Sequence, residues 1–236
     1  MDIDGNNHRV LVFKTVSTES IPLYDTSLWD VSFSLAAGEL LLIRMEPGRF
    51  RLPLADLAAG IVEPGTGAVE FLGRNWFELS PDEAAAQRGK IGRLFEEQGW
   101  VGHLDVGENI TLAQRHHSSR QIAEIENEAI NLARFFGLPG LPRSTVSALR
   151  REDLYRSAFI RAFLAKPALI ILERPTRTLF PGIMPPLINA IQAARNRGSA
   201  VIWTTSEAAV WNEAGIRATL KCTMFGARMS VAGEDQ

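Results

Sequence analysis

The stretch ELLLIRMEPGRFRLPLADLAAGI, Glu39 to Ile61, places a short apolar run, a polar loop and a helix-forming segment in immediate succession. The run Glu39 to Ile43 has no polar alternation, so it reads as a strand covered on both faces. Gly38 punctuates its start, and Leu54 to Ile61 has helical composition. Upstream, LWDVSFSL (Leu28 to Leu35) alternates at Trp29, Val31, Phe33 and Leu35, which predicts a strand with one buried face.

Two further stretches repeat the fully apolar pattern. They are ALIIL, Ala168 to Leu172, and AVIWT, Ala200 to Thr204. Shorter strands are expected at Ala68 to Phe71 and Ile91 to Phe95, with strand-like runs near Ala218 to Met224 and Arg228 to Val231. Helices are expected after Ser80-Pro81-Asp82-Glu83, which reads as N-cap, first helical position and capping box. Others are expected over Gln121 to Phe136, Arg151 to Leu164 and Pro186 to Arg197. Buried strands alternating with helices predict an α/β fold around a mostly parallel sheet. The segment from Glu97 to Ala148 lacks such strands and reads as a helical insertion.

Composition narrows the function. The chain has 236 residues and a formal net charge of −2, so charge gives no case for a nucleic-acid partner. The only lysines are Lys14, Lys90, Lys166 and Lys221. The lone cysteine, Cys222, excludes an internal disulfide framework, fits a reducing compartment, and is expected to be a buried small residue. No apolar run reaches the roughly 18 residues of a membrane helix, and no secretory signal is expected at the N-terminus. Any membrane role is therefore expected through a partner.

The order of these pieces resembles the ATP-binding domain of ABC transporters. VSFSLAAGELLLI resembles that family's opening strand pair, and the tail of RMEPGRFRLPLADLAAGIVEPGTGAVEFLGRNW resembles the run after its P-loop. IGRLFEEQGWVGHLDVGENITLA resembles the Q-loop region, ALRREDLYRSAFIRAFLAKPALIILERPT the signature helix and Walker B, VIWTTSEAAVW the H-loop strand, and GARMSVAG the closing strand pair. The resemblance implies a P-loop NTPase (RecA-like) core at 1–96 and 155–236. It also implies an N-terminal antiparallel β part and an inserted helical subdomain at 97–154. The lengths from Phe95 to Val106 and from Gly137 to Leu149 also resemble ATPases of MCE-type phospholipid-trafficking systems.

The site motifs depart from the family. A P-loop reads G-x-x-x-x-G-K-[ST], in which backbone and Lys hold phosphates and the hydroxyl holds Mg²⁺. Here Met45 and Phe50 stand at the two glycines, Arg51 at the lysine and Leu52 at the hydroxyl, and only Gly48 remains inside the loop. Glu46 adds negative charge, and Leu52 cannot ligate a hard cation. Glu173 and Arg174 replace the Asp-Glu of Walker B, and a guanidinium cannot accept a proton from the attacking water. The signature pentapeptide reads Leu149-Arg150-Arg151-Glu152-Asp153. Glu96 stands at the Q-loop glutamine and Ser206 at the H-loop histidine; Arg177-Thr178-Leu179-Phe180 replaces the D-loop.

These departures imply a pseudo-ATPase subunit of a transport complex, with no catalytic residues and no metal site. No cofactor is expected, with weak ATP binding left open. The expected partners are an integral-membrane permease and a second ABC ATPase subunit, in a homo- or heterodimer. The expected place is the cytoplasm, peripheral to the inner membrane through those partners. Trp100 and His103 are candidate permease contacts. Two other readings stay open. One is an unorthodox active ATPase using Arg51 with Glu173 or Glu207; the other is a soluble scaffold with no permease. Tyr24 is expected to be structural rather than adenine-stacking, His116-His117 to lie in a solvated loop, and Trp203 and Trp211 to pack in the core.

Overall fold

A computed structural model describes residues 9–46, 48, 51–97, 99–177 and 182–232. Phe50 and the D-loop positions Thr178, Leu179 and Phe180 lie outside the described residues.

In chain order the elements are β1 (Arg9–Ser17), β2 (Val31–Ala36), β3 (Leu40–Arg44), α1 (Leu54–Ala58), β4 (Thr66–Phe71) and β5 (Arg74–Asn75). Next come α2 (Pro81–Arg88), β6 (Ile91–Leu94), α3 (Val106–His117), α4 (Ile122–Phe135) and α5 (Arg151–Phe163). The last are β7 (Leu169–Glu173), α6 (Met184–Asn196), β8 (Ala200–Thr205), α7 (Ala208–Trp211), β9 (Leu220–Phe225) and β10 (Arg228–Val231).

Two sheets form. The smaller, in the order β2-β1-β4-β5, is antiparallel. The larger runs β10-β9-β3-β8-β7-β6 and is parallel except for the β9–β10 hairpin. Its central strands read as unbroken apolar runs because both faces are covered. Leu41, Ile43, Leu169, Ile171 and Ile202 pack toward the smaller sheet and α1. Their alternates Leu40, Leu42, Ile170, Leu172 and Trp203 pack against helices α3 to α6. Side-chain period 2 along each strand thus divides one apolar run between two cores.

Several local expectations need correction. Trp29 is outside β2 and 57% exposed, because Asp30 takes a left-handed φ of 53° and breaks the alternation. The helix expected to Ile61 stops at Ala58. There the Trp76 indole donates to the Ala58 carbonyl (3.2 Å) and its ring covers Gly60, whose φ is 62°. His116 and His117 are the last turn of α3, not a loop. Trp203 is fully buried, whereas Trp211 is only half-buried. The capping box at Ser80 and Glu83 forms as expected, with Pro81 opening α2. Among the described residues, no helix is long and apolar enough to cross a membrane.

Gly92 sits where β6 meets α5, and an added Cβ would run into the Ala162 backbone carbonyl. Gly92→Ala should therefore cost about 1–3 kcal/mol by overpacking. Ser80→Ala should cost about 1 kcal/mol by loss of the cap. Denaturant unfolding of both variants measures this, and an unchanged midpoint for Gly92→Ala would contradict the packing described.

Candidate functional site

The parallel strands β3, β6, β7 and β8 all end at one edge of the larger sheet, where α/β proteins place their ligands. Residues far apart in sequence meet there. Leu23, Tyr24, Arg51, Leu52, Arg93 and Glu173 are among the residues lining a cavity of ≈ 240 Å³ at this edge.

Its charges are paired internally. Arg93, on β6, is 11% exposed at its side chain and lies between two carboxylates. Its Nε donates to Glu173 Oε1 at 2.6 Å, and its Nη1 donates to Asp56 on α1. The Tyr24 hydroxyl donates to the other Asp56 oxygen at 2.6 Å. Burial, helped by Asp56, pushes the Tyr24 pKa well up. Burial also raises the Glu173 pKa, and Arg93 acts against that rise. For Arg93 itself, burial opposes the charge, but Glu173 and Asp56 more than offset it.

A second group adjoins the first. Arg174 follows β7 with a left-handed φ of 48°, its N–H donating to the Thr204 carbonyl at 3.1 Å. Its Nη1 donates to Glu96 Oε1 at 2.7 Å, and its Nη2 reaches Ser206 Oγ at 3.4 Å. Arg177 also donates to Glu96 Oε1, at 2.9 Å. The side chains of Arg174 and Glu96 are 9% and 10% exposed. Three positions singled out in the sequence, Glu96, Arg174 and Ser206, are thus brought into direct contact.

The loop residues are tied down as well. Arg51 is exposed and ion-paired with Glu97, while its backbone N–H donates to Asp25 at 2.9 Å. Leu52 and Met45 are buried. Gly48 takes a φ of 87° with open space around it. Glu46 accepts from the Gly226 N–H at 3.1 Å, which ties it to the β9–β10 turn.

The stretch Leu149 to Asp153 lies elsewhere, at the start of α5, and none of it lines this cavity. Arg150 donates to Asp153 at 3.1 Å, and Glu152 pairs with Arg156. Arg151 opens α5 and is exposed. Tyr155 on the same helix reaches the Arg174 carbonyl at 3.3 Å.

Trp100 is half-buried beneath the Arg161 guanidinium, 4.6 Å from its ring centroid, and His103 is exposed. Arg161 also lies over Phe95 and donates to the Gly99 carbonyl. Burial lowers the Arg161 pKa to about 10. Phe95, Val101, Leu112 and Arg161 line a groove of ≈ 720 Å³.

Sequence reasoning missed Asp56 and Arg93, and it named Arg177 only as part of the altered D-loop. The signal was there for the first two, since each interrupts an apolar run, Asp56 in LADLA and Arg93 in IGRLF.

This architecture is that of known proteins. The chain superposes on a solved "ATP binding subunit of ABC transporter" with a TM-score of 0.78 at 19% identity, covering 94% of this chain and 90% of that one. It also superposes on the dimeric cassette MJ0796 with a TM-score of 0.78 at 18% identity, over 93% and 96% of the two chains. By sequence it is 25% identical over 152 residues to the putative hemin import ATP-binding protein HrtA of Staphylococcus haemolyticus, covering 64% of this chain and 68% of that protein. Against the phosphonates import ATP-binding protein PhnC of Alcaligenes faecalis it is 29% identical over 164 residues, 66% of this chain and 59% of the relative. Its relatives and structural neighbours are ABC transporter ATP-binding domains. No family model matches the chain. The likeness to solved structures shows the cassette fold, an α/β core with a mostly parallel sheet and an antiparallel β part.

Arg93 is the cation that makes this cavity tolerable to two carboxylates. Removing one partner of a buried pair costs about 3–5 kcal/mol, and Arg93→Met should lose stability in that range. The pH dependence has a definite sign. A carboxyl whose folded pKa is raised contributes stability below its unfolded pKa and loses it as pH rises through the folded value. Without Arg93 the Glu173 pKa rises further, so the variant's stability should keep falling to higher pH than wild type. Urea unfolding from pH 5 to pH 8 tests this; parallel profiles would refute the pairing.

Proposed function

We propose that this chain is a catalytically degenerate ATP-binding-cassette subunit of a transport complex. It serves as a structural and coupling partner to a membrane permease, beside a second cassette subunit. Its homologues are ABC ATP-binding subunits of import and transport systems. The observation that carries the proposal is the contact of Arg174 with Glu96 and Ser206. In an active cassette those three positions would face the attacking water and the outer phosphate. Here they satisfy one another.

Other features support the same reading. The residues do not suit a Mg²⁺–triphosphate. Leu52 offers no oxygen, and Glu173 already accepts from Arg93. The ≈ 240 Å³ cavity is smaller than the roughly 300–1,000 Å³ of ordinary ligand sites. The guanidinium of Arg93 does for Asp56 and Glu173 what a bound cation would do. An unorthodox ATPase would need a free carboxylate as base, but Glu207 accepts from Thr176 (3.0 Å) and Glu173 from Arg93. In this reading the helical part, 97–154, and its groove beside Trp100 and His103 receive the permease. The chain is then held at the cytoplasmic face of the membrane by its partners. Recovery from detergent-solubilised membranes without any integral-membrane protein would favour a soluble scaffold instead.

Ligand binding stabilises a protein by RT ln(1 + [L]/Kd). At about 1 mM MgATP, a Kd of about 10 μM would add ~2.7 kcal/mol. The expected result for the purified chain is no shift in thermal unfolding and no phosphate release. A shift of that size with turnover would refute the proposal.

The double variant Arg51→Lys/Arg174→Glu should also remain inactive in a phosphate-release assay. It restores two groups while leaving Leu52, Glu96 and the Leu149 to Asp153 stretch unchanged. Turnover by that variant would show the loop to be competent.

A further inference from the structure

A second cavity, of ≈ 780 Å³, lies at the opposite end of the larger sheet, where β6, β7 and β8 begin. Its lining includes Lys90, His117, Arg120, Lys166 and Arg197 and, among the described residues, no carboxylate. The chain as a whole is slightly acidic, so this is a local separation of charge. Two of its four lysines stand here.

The fold explains the gathering. Helices α2, α3, α5 and α6 all end around this cavity, and helix C-termini favour nearby cations. Lys166 is the second of two successive left-handed residues, Ala165 at φ 64° and itself at φ 51°. Arg197 caps α6, and Lys90 follows the cap of α2.

At roughly half a negative charge each, the four helix ends offset part of this charge but less than the full charge of the four cations. Arg120 is paired with Glu128 at 2.8 Å. Lys90, Lys166 and Arg197 are exposed and form no ion pair among the described residues. That contrasts with the first cavity, where Arg51 and Arg93 each sit on a carboxylate. The neutral polar groups of the wall are already engaged. Gln114 donates to the Gly89 carbonyl (3.2 Å), Ser118 to Gln114 (2.7 Å) and Ser199 to Pro167 (2.7 Å). What remains for a ligand is positive charge in a space of ordinary ligand-site size.

We propose that this cavity binds a phosphate-bearing anion, held by Lys90, Lys166 and Arg197. Lysine ammoniums serve phosphate as point charges, and arginine adds paired N–H donors. The anion is either a soluble polyphosphate compound or a phospholipid headgroup. His117 also lines the groove beside Phe95 and Arg161, so an occupied cavity adjoins the surface assigned to the permease. That adjacency matters only if the transport reading holds; the binding itself does not depend on it.

The test uses the full chain at low ionic strength. One arm is calorimetric titration with pyrophosphate. The other is cosedimentation with phosphatidylglycerol vesicles, against phosphatidylcholine vesicles as baseline. The variant Lys90→Gln/Lys166→Gln/Arg197→Gln changes exposed side chains only, and its fold is checked by thermal unfolding. A charge-matched control, Arg9→Gln/Arg134→Gln/Arg228→Gln, alters exposed cations outside the cavity. The expected result is a loss of roughly tenfold or more in the cavity variant, with the control changed by less than about twofold. Binding in the pyrophosphate arm identifies a soluble anion, and binding in the vesicle arm alone a lipid headgroup. No binding by the wild type in either arm overturns the proposal. So does equal loss in both variants, or undiminished binding in the cavity variant.

Discussion

The central strands β3, β8 and β7 have no face in water: Leu40 to Ile43, Leu169 to Leu172 and Ala200 to Trp203 are all essentially inaccessible. A strand so placed must send alternate side chains into two separate cores, so both faces of the sheet have to be covered. The smaller antiparallel sheet with α1 covers one face, and α3 to α6 cover the other. Polar groups are admitted only where the strands run out. That confines chemistry to the sheet's two ends, and both charged cavities lie there.

The two ends handle charge in opposite ways. At the C-terminal ends of the strands the cations are answered within the chain. Arg93 binds Asp56 and Glu173, Arg174 and Arg177 share Glu96, and Arg51 takes Glu97. Buried pairs of this kind add little net stability compared with apolar packing, but they penalise the loss of either member. Changes at such positions are therefore coupled. A single substitution at one of them leaves its former partner buried and unanswered. At the N-terminal ends Arg120 is paired with Glu128, while Lys90, Lys166 and Arg197 are exposed beside helix C-termini and form no ion pair among the described residues.

The strands and most helices were legible because they rest on local patterns. Apolar runs marked β3, β7 and β8, and Ser80-Pro81-Asp82-Glu83 marked the start of α2. Reading was poorer where a distant group intervened. Trp29 continued an alternation on paper, yet Asp30 turns the chain, and the Trp29 N–H bonds to the Ala227 carbonyl at 2.8 Å. The end of α1 depends on Trp76, 18 residues from the carbonyl it binds. Of the site, Glu96, Glu173, Arg174 and Ser206 were found from position in the resembling motifs. Asp56 and Arg93 stood out only as polar residues in apolar segments.

By itself, the sequence determined which strands are buried on both faces, because hydrophobic periodicity is a local property of the chain. It also determined that Leu52, Glu173 and Arg174 stand at the positions of the resembling motifs, because residue type is read directly from the chain. Only the tertiary structure decided which charges answer one another. Glu96 and Arg174 are 78 residues apart, and Arg93 and Glu173 are 80. Their pairing follows from parallel strands ending at a common edge, and no local pattern encodes which ends become neighbours.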